Sequence, residues 1–147
     1  MSIDTSGTWW TSIDPGDIRG FLEAYSSDGG YPIDEFTLSR CSCGLIEFRL
    51  DADDNEGCAK RICKACGENH FICDTDEYWE DAEPEHWTCI ECKKDTCNVG
   101  VGFALYEGTR DIKWIYVGCR CSDCGILGCF AGWKVGYGDS EHLIAKA

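Results

Sequence analysis

Residues 41–67 read CSCGLIEFRLDADDNEGCAKRICKACG, two close pairs of cysteines with an apolar stretch leaving the first and another returning to the second. Cys41 and Cys43 open the segment, Cys63 and Cys66 close it, and Gly44 and Gly67 follow the pairs. A gap of one or two residues lets a single turn offer two thiolates to one ion, and a following glycine lets backbone amides point at sulfur. Residues 45–50 run out as a strand, 51–57 form a polar tip, and 59–62 return. Such a hairpin gathers both cysteine pairs at its base. The tip, DADDNEG, carries alternating oxygens but lacks the twelve-residue pattern and closing Glu of a calcium loop, so it reads as a turn.

The same order recurs downstream. Cys89 and Cys92 precede a strand at 99–106, a turn at 107–110 and a returning strand at 111–117, and then come Cys121 and Cys124 with Gly125 behind them. Cys73 and Cys129 sit in the short strands that follow each second pair, at 70–73 and 130–137, which marks a duplicated unit. The expected fold is small and mainly β: two zinc-ribbon-like hairpin units with an N-terminal helix. Its parts are a helix and extension over 1–35, a first ribbon over 36–75, an acidic linker over 76–86, a second ribbon over 87–139 and a tail over 140–147. Two zinc ions are expected, one on Cys41, Cys43, Cys63 and Cys66, the other on Cys89, Cys92, Cys121 and Cys124. Cys119 is an alternative ligand to Cys121, mirroring the one-residue gap at Cys41 and Cys43; its other readings are a spare thiol or part of an open site. Cys58, Cys73, Cys97 and Cys129 are expected as buried thiols without a metal.

Upstream, residues 1–13 read as irregular, and a helix starts at Asp14 as N-cap with Pro15 in the first turn. Ile18, Phe21, Leu22 and Tyr25 recur on one face, and residues 26–30, with two glycines, stop it. Residues 74–85 hold seven acidic side chains and no basic one, with Tyr78 and Trp79 among them, and read as a solvated linker.

Composition supports a metal-held chain. Of 147 residues, 13 are cysteine, an odd number that excludes a complete set of internal disulfides. The chain shows no secretory signal and no run of ~20 apolar residues, so the expected compartment is the reducing cytoplasm, where dense cysteines are metal ligands first. The formal net charge is −14, from 27 acidic against 13 basic residues. Eight thiolates on two Zn²⁺ would deepen it further. That balance argues against nucleic acid, whose phosphates call for a basic surface, and for a basic protein partner. His70, His86 and His142 stand apart, and neither a nucleophile elbow nor a phosphate loop is present, so no catalytic residue is assigned.

Three segments resemble the glutathione-dependent formaldehyde-activating family. Cys41-Ser42-Cys43-Gly44, with Phe48 beyond, is similar to its opening motif. Cys119-Arg120-Cys121-Ser122-Asp123-Cys124, followed by Phe130 and Trp133, is similar to its second, and Cys63 to Gly67 to its closing one. The motif order here differs from the family's, and Cys89 and Cys92 fall outside it. The resemblance implies a structural zinc on Cys41, Cys43, Cys63 and Cys66. It also implies a more open zinc on Cys119, Cys121 and Cys124, in a carbon–sulfur lyase or a degenerate relative. A non-enzymatic zinc protein that binds another protein, of inhibitor or immunity type, is the expectation from the residues themselves.

Overall fold

The computed structural model describes residues 3–28, 30–135 and 139–147. The stretch before the helix is pinned rather than irregular: Asp4 bridges to Thr11, and Thr11 bridges to Ile126. The Asp14 carboxylate accepts from the Gly16 amide at 2.9 Å, Pro15 opens a single 3-10 turn, and α1 (Ile18–Ser27) continues from it. Ile18 and Leu22 are fully buried, whereas Tyr25 on the same face is 50% exposed.

Among the described residues, eight strands follow in one antiparallel sheet: β1 (Glu35–Leu38), β2 (Phe48–Asp53), β3 (Cys58–Cys63), β4 (Asn69–Phe71), β5 (Glu85–His86), β6 (Cys97–Leu105), β7 (Ile112–Cys121) and β8 (Leu127–Lys134). The protein is therefore mainly β with an N-terminal α-helix, as the sequence predicts. The hairpins bracketed by cysteine pairs are β2–β3 and β6–β7, with shifted edges. β2 begins at Phe48 rather than 45 and runs on to Asp53, and β7 extends to Cys121. β8 begins at Leu127 rather than 130, and the last expected positions of that strand, Gly136 and Tyr137, lie outside the described residues. Each strand lasts as long as its neighbour supplies ladder partners: Phe48 opposes Cys63, Asp53 opposes Cys58, and Cys97 opposes Cys121.

The two hairpins meet through β2 and β6, where Phe48 pairs with Cys97. β1 takes the rest of that edge of β6, from Leu38 against Gly100 to Glu35 against Phe103. One row across the sheet thus runs Cys63, Phe48, Cys97, Cys121, and both cysteine sets end up at the same end of the sheet. Three strand spacings put Cys63 and Cys121 roughly 14 Å apart.

Alternation divides the faces. Val99, Val101 and Phe103 of β6 enter the main core with Phe48, Leu50, Ile115 and Val117, all fully buried. This core is larger than the glycine- and cysteine-rich composition suggests. On the opposite face, Gly100 and Gly102 of β6 and Gly118 of β7 leave a flat bed for α1. A Cβ on Gly100 would lie 2.5 Å from the Phe36 ring, and one on Gly118 would lie 2.8 Å from Ile18. β8 serves both faces, because a bulge leaves Phe130 unpaired between Ala131, opposite Val117, and Cys129, opposite Gly118. Leu127 and Cys129 accordingly pack on the helix side, and Ala131, Trp133 and Val135 on the main core.

The acidic stretch is tied down at both ends. Asp74 is buried and accepts from Trp133 Nε1 at 3.1 Å. Thr75 Oγ1 accepts from the Ala59 amide, and Asp53 Oδ2 accepts from the Glu83 amide, each at 2.9 Å. Between these anchors two 3-10 turns, Thr75–Glu77 and Trp79–Asp81, hold Asp76, Glu77, Glu80 and Asp81 in solvent. Among the described residues no helix is long and apolar enough to cross a membrane.

Candidate metal centres

The four cysteine turns are built alike. In three of them the first cysteine's amide donates to the carbonyl five residues on, and its carbonyl accepts from the amide four residues on. Cys63 is so held by Glu68 and Gly67, Cys89 by Lys94 and Lys93, and Cys121 by Ile126 and Gly125, all between 2.8 and 3.0 Å. The turn at Cys41 is one residue shorter, closing through Leu45 and Gly44. The residue that donates back has a left-handed backbone in every case: Gly44 (φ 97°), Gly67 (75°), Lys93 (64°) and Gly125 (79°). This geometry frees other amides to face sulfur. Those of Ala65 and Cys66 donate to the Cys63 thiol, those of Glu91 and Cys92 to Cys89, that of Leu45 to Cys43, that of Lys94 to Cys92 and that of Ile126 to Cys124.

The hairpins then bring the turns together. Cys41, Cys43, Cys63 and Cys66 form one group and Cys89, Cys92, Cys121 and Cys124 another, the four sulfurs of each lying within 4.8 Å of one another. Sulfurs of opposite turns approach closest: Cys41 to Cys66 at 3.5 Å, Cys43 to Cys63 at 3.6 Å, Cys89 to Cys124 at 3.4 Å and Cys92 to Cys121 at 3.5 Å. All thirteen cysteines are free of disulfides. A tetrahedral ion with bonds near ~2.3 Å places its sulfurs about 3.8 Å apart, so both groups match a four-thiolate metal site.

Proton affinities within each group point the same way. The amides of Cys66 and Ala65 hold the Cys63 thiol well below its ordinary range. At Cys66 the Glu68 amide favours the thiolate, but the sulfurs of Cys41 and Cys63 outweigh it and push the thiol up. Cys89 and Cys124 divide likewise. Burial opposes ionisation at Cys89 and the amides of Cys92 and Glu91 overcome it, whereas burial and then the neighbouring sulfurs raise Cys124. Four thiolates this close repel one another, and a divalent cation is what lets all four ionise together.

The remaining cysteines lie outside the groups. Cys119 is buried in the main core, as are Cys73 and Cys97; Cys58 is fully buried outside it, and Cys129 is half-buried beneath α1. His70 Nε2 meets the Lys146 carbonyl at 2.9 Å, His142 is exposed in the C-terminal 3-10 turn, and His86 lies between Asp51 and Asp95. The third turn lacks the glycine that follows the other three because Lys93 occupies the left-handed position, so in the sequence only the spacing of Cys89 and Cys92 marks it. A polar brace is equally silent in the sequence: Arg120 donates to the Ser12 carbonyl at 2.6 Å and to Asn98 Oδ1 at 2.9 Å, and Asn98 Nδ2 donates to the Ile46 carbonyl. It ties the loop after the first turn to the strands of the second hairpin.

No protein-family model, curated protein or solved structure matches the chain.

Proposed function

We propose that this is a non-enzymatic protein that holds two structural zinc ions and binds a basic protein partner through its acidic surface. The observation that carries the reading is that each group offers four sulfurs. Four thiolates close a tetrahedral zinc and leave no position for water or substrate, which suits structure rather than catalysis. Zinc takes such soft, tetrahedral sets readily. The partner reading is supported by the net charge of −14 and by the exposed acids at 76–81. Trp79 packs on Phe71 at 5.5 Å between ring centroids, and Tyr78 beside it is 43% exposed, available as an aromatic anchor.

The alternative is a carbon–sulfur lyase of the formaldehyde-activating type, with an open zinc on Cys119, Cys121 and Cys124. The binder is preferred because Cys119 lies apart from the sulfur group in the core. Elemental analysis with X-ray absorption separates the readings. Two zinc per chain, each with four sulfur neighbours, is the expected result. One zinc, iron, or a site with three sulfurs and one oxygen would overturn it.

A further inference from the structure

Away from both cysteine groups, α1 and the outer face of β7 and β8 enclose a cleft of about 660 Å³, within the ~300–1,000 Å³ range of small-molecule sites. Its wall is an unbroken arc of six aromatic rings. Trp10 meets Phe21 edge-on at 5.8 Å, Phe21 stacks on Tyr25 at 6.0 Å, and Tyr25 meets Tyr116 edge-on at 6.0 Å. Tyr116 leads on to Trp114 at 6.4 Å, and Trp114 to Tyr31 at 5.7 Å. The cleft is lined on its remaining sides by the bulged Phe130 and by two carboxylates, Asp28 and Asp54, and among the described residues no Lys, Arg or His lines it. We infer that this cleft binds an organic cation bearing a methylated ammonium group.

The rings and the two carboxylates of the lining favour that charge. Aromatic faces carry a negative quadrupole that attracts an ammonium within ~6 Å. Tyr31 already draws one, the Lys113 Nζ lying 4.7 Å from its ring centroid. A neutral aromatic ligand would use the rings but cover two carboxylates without offering either an opposite charge, which costs free energy. An anion would meet both carboxylates and a chain of net charge −14. A methylated ammonium is weakly hydrated compared with a bare one, so the rings replace its water at low cost. The site is held for binding rather than collapse. The Tyr116 hydroxyl accepts from the Tyr31 amide at 2.9 Å and donates to its carbonyl at 3.0 Å, fixing that residue's backbone whatever its side chain. Asp54 Oδ1 accepts from the Gly132 amide at 2.9 Å, which places the carboxylate at the edge of the cleft.

The test is calorimetric titration of the intact, metal-loaded protein with choline and with dimethylbutanol, its neutral carbon isostere. A peptide carrying trimethyl-lysine, beside its unmodified form, forms a second arm and shows whether a free cation or a modified side chain fits better. Choline is expected to bind about tenfold more tightly than the isostere, the size of a desolvated cation–π contact. Asp54→Asn, which keeps the oxygen that accepts from Gly132, and Tyr31→Ala, whose backbone stays anchored, should each weaken choline several-fold without altering metal content. Preference for either cationic arm supports the inference. Equal affinity for choline and its isostere, no saturation of any ammonium by ~10 mM, or indifference of both variants overturns it.

Discussion

At the scale of single residues, charge placement around His86 shows how the end of the sheet that carries the cysteine groups is braced. Its Nδ1 lies 2.6 Å from Asp51 Oδ1 on β2, and its Nε2 lies 2.9 Å from Asp95 Oδ2, two residues before β6. Only the imidazolium can donate to both carboxylates. The hydrogen bond to Asp51, then that to Asp95, raises the His86 pKa above its ordinary 6.5 against a smaller opposing effect of burial. The sign follows from linkage. With the folded value raised, the bridge contributes fully below the unfolded value and is lost as pH climbs through the folded one. The side chain is 45% exposed, so solvent screening keeps the contribution near ~0.5 kcal/mol. His86→Gln is expected to be less stable than the parent by about that amount at pH ~6, and equal to it by pH ~9. Denaturant melts of both, zinc-loaded, measure the difference. A gap that does not change across this range would show that the imidazole does not titrate as described.

At the scale of elements, the glycines of β6 and β7 decide how α1 docks. Gly100 and Gly118 oppose each other in register, and both lie directly beneath Ile18. Gly100→Ala and Gly118→Ala are each expected to cost about 1–3 kcal/mol, because the new methyl overpacks an interface already in contact. At Gly128 on β8 nothing lies within 4 Å of where a methyl would stand, and Gly128→Ala should be neutral or stabilising by a few tenths. Thermal melts of the three variants check this, and similar losses at all three positions would remove the docking argument. The same elements show what could be read in advance. Cysteine spacing and apolar alternation are local signals, and they located α1, both hairpins and the membership of both sulfur groups. The pairing of Phe48 with Cys97 and of β1 with β6 joins residues tens of positions apart, and no local pattern encodes it. The two-residue β5 lay within the acidic stretch, where composition masks it. Asp74 read as solvated because its partner, Trp133, is distant in sequence.

At the scale of the whole molecule, the end with the cysteine groups and the aromatic cleft leave the acidic stretch as a separate surface. Asp76, Glu77, Glu80 and Asp81 project from turns anchored by Asp74, Thr75 and Trp79, so replacing them removes charge without removing an anchor. Charge of this kind acts mainly on the rate of encounter, since complementary potentials steer a partner in, and salt screens them over ~8 Å at physiological strength. Capture on immobilised, zinc-loaded protein supplies the partner, and surface plasmon resonance gives its association rate at several salt concentrations. Changing the four acids to Ser is expected to slow association about tenfold at low salt and to flatten its salt dependence, with dissociation little altered. Zinc content should stay at two per chain, because the cysteine groups lie elsewhere on the sheet. An unaltered rate and salt slope would mean that these acids only solvate the surface, and the proposal of a partner docked on the acidic stretch would fall while the two metal centres stood.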